Sequence, residues 1–234
     1  MTISWVLLTH NRKDIVKKSF EQTIKSAGDK IDETIWVDNG STDGVRDYLK
    51  GKTDITILNS ENKGVAKGYN IGMYKASSDY ILINGGDMLM PQDWLIKIKE
   101  HIKVFPNSAF VIPTKGFYKE CISKEMIERE GLKVYPSVLM KGAKIFPRNV
   151  LKKAGYIRED MSLYGIEDRE WAERIKSRGI PCYVIKDYMV SHIGEDIHCN
   201  TEYRKLKWEE LKKAFDSHIL EKSIQNNFPY YNPF

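Results

Sequence analysis

Cysteine is scarce in this chain. Cys121, Cys182 and Cys199 are widely separated and odd in number, so they make neither a disulfide framework nor a CxxC metal knot, and they suit a reducing compartment. Long apolar runs are missing too: no uninterrupted segment approaches the roughly 18 to 20 residues that a membrane span needs. The opening Met1-Thr2-Ile3-Ser4 has no basic leader, and its first apolar run ends by Leu8. Neither sign of charge dominates, with 37 Lys and Arg against 32 Asp and Glu. Together these absences exclude a secreted disulfide scaffold and a helical membrane protein, and the expectation is a soluble cytoplasmic chain. What is present, 234 residues with 41% hydrophobic content and a mean hydropathy of −0.47, is enough for one domain with a substantial core.

The modest net charge is unevenly placed. Residues 115–153 hold 10 basic and 4 acidic side chains, and the excess elsewhere is slight. Such a cluster fits either a polyanion-binding surface or a solvated loop.

Strand-like and helix-like segments alternate from the start. Ile3 to Leu8 reads as a buried strand, Thr9-His10-Asn11-Arg12 as the polar loop ending it, and the next segment as a helix with Ile15, Phe20, Ile24 and Ala27 near one face. A second unit runs from Thr34-Ile35-Trp36-Val37 through Asp38-Asn39-Gly40 to a helix carrying Val45, Tyr48 and Leu49, with Ser41 or Thr42 as its cap. A third strand, Ile55 to Leu58, precedes a helix over 65–76. This alternation predicts an α/β fold: a mainly parallel, Rossmann-like sheet with helices on both faces.

Two stretches stand out within that frame. Asn62-Lys63-Gly64-Val65-Ala66-Lys67-Gly68-Tyr69-Asn70-Ile71-Gly72 opens a helix with small residues at intervals. These allow close approach of either a ligand or a neighbouring element, and Lys63 and Lys67 can reach phosphate oxygens. The apolar run Tyr80-Ile81-Leu82-Ile83 then stops in Asn84-Gly85-Gly86-Asp87, which reads as a buried strand delivering a polar tip to a cleft.

Further on, the spacing predicts a helix from Trp94 to Phe105, a strand over 109–112, a hairpin arm over 115–119, a short helix over 125–130, and a strand with a short helix from Ala143 to Tyr156. Glu167 and Asp168 start a helix that buries Trp171 and Ile175 one turn apart, and acids there are favoured by the helix dipole. Cys182 to Ile185 is the last strand. Thr201 to Ser223 reads as one amphipathic helix, followed by an aromatic tail that fits a clamp on the donor side, a dimer contact or packing across the core.

In order and spacing, the 37–44 stretch, the Asn62 to Gly72 glycine pattern and the strand ending at Asp87 before Pro91 resemble family-2 glycosyltransferases of the GT-A fold. The similarity extends over residues 3 to about 194, with residues 195–234 as a C-terminal helix and aromatic tail. The resemblance implies a nucleotide-sugar-binding half over 1–113, an acceptor and catalytic half over 114–194, and a nucleotide diphosphate sugar donor, a UDP-sugar favoured. Thr9, Asn11 and Arg12 would line the base and ribose side, and Asp38, with Asn39, would accept hydrogen bonds from the base. Lys63, Gly64, Lys67 and Asn70 would border the ribose and diphosphate.

The family's Asp-x-Asp metal triplet falls on Asn84, Gly85 and Gly86, so only Asp87, one place later, offers a carboxylate to Mg²⁺ or Mn²⁺. His192 is the compensating metal ligand that the pattern offers. Asp168 would be the general base on an acceptor hydroxyl, with Glu167 orienting the acceptor or Arg174. The acceptor stays open between a glycan and a hydroxylated DNA base of the bacteriophage kind, where the basic stretch would meet phosphates. Two rivals remain: a non-catalytic sugar-nucleotide-binding module with a decayed metal site, and a sugar-phosphate nucleotidyltransferase.

Overall fold

A computed structural model describes residues 1–114, 125–137, 142–161, 167–185, 187–193, 201–216, 218–227 and 229–234. In chain order the elements are β1 (Ile3–Thr9), α1 (Lys13–Lys25), β2 (Glu33–Asn39), α2 (Val45–Leu49), β3 (Ile55–Asn59), α3 (Val65–Lys75), β4 (Tyr80–Gly85), β5 (Met88–Leu89), α4 (Trp94–Val104) and β6 (Ala109–Ile112). There follow β7 (Ile127–Arg129), β8 (Leu132–Pro136), β9 (Ala143–Pro147), α5 (Asn149–Lys153), α6 (Glu167–Ser177), β10 (Cys182–Val184), β11 (Ser191–His192), α7 (Thr201–Asp216) and α8 (Ile219–Gln225).

The first strand is buried at every position, which a strand achieves only in the middle of a sheet covered on both sides. Accordingly β1 lies between β2 and β4, parallel to both. The main sheet has the order β3-β2-β1-β4-β9-β6-β10-β8-β7. All its strands run one way except β9 and β8, which are antiparallel to their neighbours. A separate small ribbon pairs β11 with β5.

Helices cover both faces, as the alternation predicted. On one face α1, α2 and α4 bury Val16, Phe20, Val45, Leu49, Trp94, Leu95 and Ile98 against Trp5, Leu7 and Trp36. On the other, α3, α5 and α6 bury Tyr69, Met73, Val150, Trp171 and Ile175 against Val6, Val37, Ile81 and Phe146. At roughly 25 cal/mol per Å² of apolar surface removed from water, these two layers are the main source of stability. Among the described residues no helix is long and apolar enough to cross a membrane.

Four expectations change in detail. In α1 the buried face is Val16, Ser19, Phe20 and Thr23, while Ile24 is exposed, because the sheet sits one position round from the face that apolar spacing picked out. The start of α2 is Gly44 in the left-handed region, with no side-chain cap, since Ser41 is turned to Asn11 and Asp38. The short helix expected over 125–130 is an antiparallel hairpin of β7 and β8. Its turn residues Glu130 and Gly131 both have positive φ, 49° and 77°, the conformation that a tight hairpin requires and a helix forbids. The single helix expected over 201–223 is two, α7 and α8, with His218 at φ 53° between them. The hairpin arm expected over 115–119 lies outside the described residues.

Candidate active site

The C-terminal ends of β1, β2 and β4 meet at one edge of the sheet, where the loops that follow them carry the polar residues. Asn11 and Arg12, just after β1, both adopt left-handed φ values, 54° and 68°. For non-glycine residues this costs free energy that surrounding contacts must supply. Those contacts are present: the Asn11 amide N–H donates to Ser41 Oγ at 2.7 Å, and its side-chain oxygen accepts from the Thr42 N–H at 2.8 Å. The β1 and β2 loops are thereby tied together. Thr9 is buried and its Oγ1 accepts from the Trp36 indole at 2.8 Å.

Asp38, at the end of β2, is fully buried. Its Oδ2 accepts from Arg46 Nε at 2.6 Å and from the Ser41 N–H at 3.0 Å, while Oδ1 is buried with no hydrogen-bond partner among the described residues. An unsatisfied carboxylate oxygen in such surroundings costs roughly 1 to 3 kcal/mol or more, so it calls for a donor from outside the protein. Asn39 differs. Its amide gives hydrogen bonds to Asn62 Oδ1 and the Gly64 carbonyl and accepts them from Asn59 Nδ2 and the Lys63 N–H. All its capacity goes into holding the loop before α3.

Gly64 caps α3 with φ 83°, with Lys63 just before it and Lys67 in the first turn of the helix. Lys67 Nζ lies 3.4 Å from Glu159. Asn70 is buried and bonds the Ile157 carbonyl at 2.7 Å, the Ile157 N–H at 3.0 Å and Glu159 at 2.9 Å. It fastens α3 to the segment leading towards α6. The small residues of α3 serve the sheet: a Cβ on Gly72 would sit 2.3 Å from Val6 Cγ1, and one on Gly68 2.5 Å from Leu8.

Asp87 stands at the tip beyond β4. Its Oδ2 is 2.9 Å from Arg12 Nη1 and its Oδ1 3.3 Å from His192 Nε2. Gly86 makes the tip possible, because a Cβ there would meet Thr9 Cγ2 at 2.4 Å. Burial pushes the Asp87 carboxyl up, but the hydrogen bond and charge of His192 and the charge of Arg12 outweigh it and hold the group below the usual carboxylate range. His192 reaches this place through the β5–β11 ribbon, where it pairs with Met88. Among the described residues no group of three or more His, Cys, Asp or Glu is gathered for a metal ion.

The catalytic pair expected at 167 and 168 begins α6, as the sequence indicated. Asp168 Oδ1 lies 3.1 Å from Lys144 Nζ. The Tyr69 phenol is raised well above its ordinary value, first by burial and then by the negative charges of Asp168, Asp87 and Glu167. That one buried ring therefore lies within the field of carboxylates from both halves of the chain. Arg174, which Glu167 was expected to orient, is held elsewhere. It is fully buried, paired with Glu170 at 2.8 Å and bonded to the carbonyls of Ala154 and Tyr156, because Glu170 and not Glu167 is one turn from it on the inward face.

The profile of Glycosyl transferase family 2 matches residues 4–163, more than half of the chain. The chain belongs to this family. A glycosyltransferase of Bacillus subtilis strain 168, the uncharacterised YfnE, is 28% identical over 127 residues, covering 53% of this chain and 32% of YfnE. This family-2 chain thus spans about a third of that relative. GalNAc-T7 with UDP, GalNAc and Mn²⁺ superposes with a TM-score of 0.63 at 15% identity, over 82% of this chain and 43% of that one. The mannosyltransferase PcManGT of Pyrobaculum calidifontis, in complex with GDP-Man and Mn²⁺, gives 0.62 at 17% identity over 81% and 56%. TarS 1-349 of S. aureus with UDP gives 0.60 at 18% identity over 97% and 72%. These likenesses establish the GT-A fold.

Three side chains that meet the expected site residues were not picked out from sequence: Arg46 on Asp38, Tyr69 in the field of Asp168, Asp87 and Glu167, and Lys144 on Asp168. Tyr69 carries no signal apart from lying inside the Asn62 to Gly72 stretch, and Arg46 none apart from following the 37–44 stretch by two residues. Lys144 does carry one. It is a lone cation in the buried run Ala143-Lys144-Ile145-Phe146, where a charge needs a partner.

Proposed function

We propose that the cleft binds a nucleotide diphosphate sugar, a UDP-sugar in the first instance, and transfers the sugar to an acceptor hydroxyl. In this reading residues 1–113 supply the donor side and 114–194 the acceptor side. The observation that carries it is the buried, unpartnered Oδ1 of Asp38, at the same sheet edge as the Arg12–Asp87–His192 cluster. A carboxylate whose Oδ2 is pinned by Arg46 and whose Oδ1 is left without a donor matches the N3–H of uracil, and cationic groups beyond it match a diphosphate.

The donor set fits a divalent cation in a limited way. Asp87 and His192, with Oδ1 and Nε2 3.3 Å apart, are the residues that would hold it. Such an ion would neutralise charge on the departing diphosphate.

The chain's own residues account for the rest. Arg12 and the lysines Lys63 and Lys67 hold the diphosphate. Asp168 takes the proton of the acceptor hydroxyl as its oxygen bonds to the sugar's anomeric carbon, and the bond from that carbon to the diphosphate breaks with its electron pair. Tyr69, kept neutral, offers a hydrogen-bond donor among three carboxylates.

Thermal stabilisation by UDP-, GDP- and dTDP-sugars, with and without Mn²⁺, followed by assay of nucleotide release, tests this. The expected result is stabilisation by a UDP-sugar, weakened about 10-fold or more in affinity by Asp38→Asn, and slow UDP release that Asp168→Asn lowers by about 10²- to 10⁴-fold while binding persists. Binding with no turnover would instead support a non-catalytic module. No stabilisation by any donor would end the reading.

A further inference from the structure

Lys144 is a cation where the fold has little reason to put one. It sits on β9 opposite Ile83 of β4 and Val111 of β6, next to the polar tip of β4, with its side chain only 7% exposed. Along β9 the side chains alternate: Ala143 and Ile145 enter one core layer, and Phe146 the other, so Lys144 points to the layer beneath α6. There Phe146 meets Trp171 edge-on with ring centroids 4.9 Å apart. One helical turn back from Trp171 is Asp168, and two residues back from Phe146 is Lys144. The aromatic contact therefore sets the register that brings ammonium and carboxylate together.

We propose that Lys144 is the positioning residue of Asp168, holding Oδ1 so that Oδ2 is presented to the acceptor hydroxyl. The inference rests on the reading of the cleft as a glycosyltransferase site and adds a specific residue to it. Docking of α6 does not need the pair, because Phe146, Trp171 and Ile175 already anchor that helix in the apolar layer, and a buried ion pair is a poor source of stability compared with apolar side chains. Asp168, by contrast, keeps 34% of its side chain exposed, enough for one oxygen to face a ligand while the other stays on Lys144. In the transfer step the hydroxyl proton ends on Oδ2, the freed electron pair makes the new bond to the anomeric carbon, and the old bond's electrons leave with the diphosphate. Lys144 exchanges no proton.

The test is a double-mutant cycle on UDP release from UDP-glucose and UDP-N-acetylglucosamine, water standing in the acceptor's place. Lys144→Met is expected to lower kcat by about 10²-fold, the scale of a misplaced catalytic group, with KM for the donor and thermal stabilisation by UDP unchanged. Lys144→Arg should recover most of the rate, and Lys144→Met should have no further effect on Asp168→Asn. Should Lys144→Met lose the fold, Lys144→Gln goes through the same cycle. Equal losses in the wild-type and Asp168→Asn backgrounds, an unchanged kcat, or a parallel loss of UDP stabilisation would each overturn the assignment. If the wild type turns over and Lys144→Met matches it, only Lys144 is misassigned. If the wild type releases no UDP from either sugar, the glycosyltransferase reading fails first and this proposal with it.

Discussion

Asp87 shows how a site can be built where the usual carboxylates are missing. Two glycines stand ahead of it, and the single acid that follows is held by a guanidinium from the β1 loop and an imidazole from the β5–β11 ribbon. Its carboxyl is depressed in the folded state below the ordinary value of 3.8. A group of this kind contributes stability that is fully present above the unfolded-state value and is lost as pH falls through the folded-state one. The expected outcome is that the melting-temperature difference between wild type and Asp87→Asn persists from pH 7 down to about pH 5 and shrinks only below about pH 4. A difference that vanished between pH 7 and 5 would show that this carboxylate does not carry the effect.

The third helix makes the same kind of case one level up. Its glycines recur at a spacing that invites a ligand-cradle interpretation, yet Gly68 and Gly72 face Leu8 and Val6, and their missing side chains let α3 lie flat on β1. Gly72→Ala puts a methyl 2.3 Å from Val6 Cγ1 and 3.1 Å from Val37 Cγ2. Overpacking of this kind typically costs about 1 to 3 kcal/mol, or a fall of roughly 2 to 12 °C for a domain of this size. Thermal unfolding of the variant measures it, and an unchanged midpoint would mean that α3 can lift off the sheet at no cost.

The same helix marks the limit of what the sequence could disclose. The strand and helix order, the parallel centre and the polar strand ends were legible because burial on both faces writes continuous apolar runs such as Ile3 to Leu8 and Tyr80 to Ile83. The partners were not. That Asn39 spends its amide on the loop depends on residues 20 or more positions away, and neighbouring polar residues in one motif look alike. The β7–β8 hairpin was missed for a local reason: Glu-rich composition favours a helix, and the two positive-φ turn residues decided otherwise. Lys144 is legible in a different way, since a lysine inside the buried apolar strand β9 is an anomaly that calls for a partner.

At the scale of the molecule, the end of the described chain returns to the middle. Tyr231 bridges Gly155, its carbonyl accepts from the Tyr156 N–H at 2.8 Å, and its hydroxyl accepts from the Glu159 N–H at 3.3 Å. Phe234 stacks on Tyr74 of α3, centroids 4.4 Å apart, and meets Tyr156 edge-on at 5.2 Å. The tail thus clamps the 155–159 segment against α3 from outside, opposite the Asn70 and Lys67 contacts that hold it from within. That segment leads towards α6 and Asp168, whereas Asp38 is held by Arg46 and Asp87 by Arg12 and His192. Removing residues 229–234 takes away two aromatic contacts and two or three hydrogen bonds, together worth about 2 kcal/mol, and should lower the melting temperature by roughly 4 to 8 °C. Amide exchange over 155–160 should accelerate, and UDP release should slow while UDP affinity holds. Loss of UDP affinity in step with turnover would place the tail's influence on the donor side and break the separation between the two halves of the cleft.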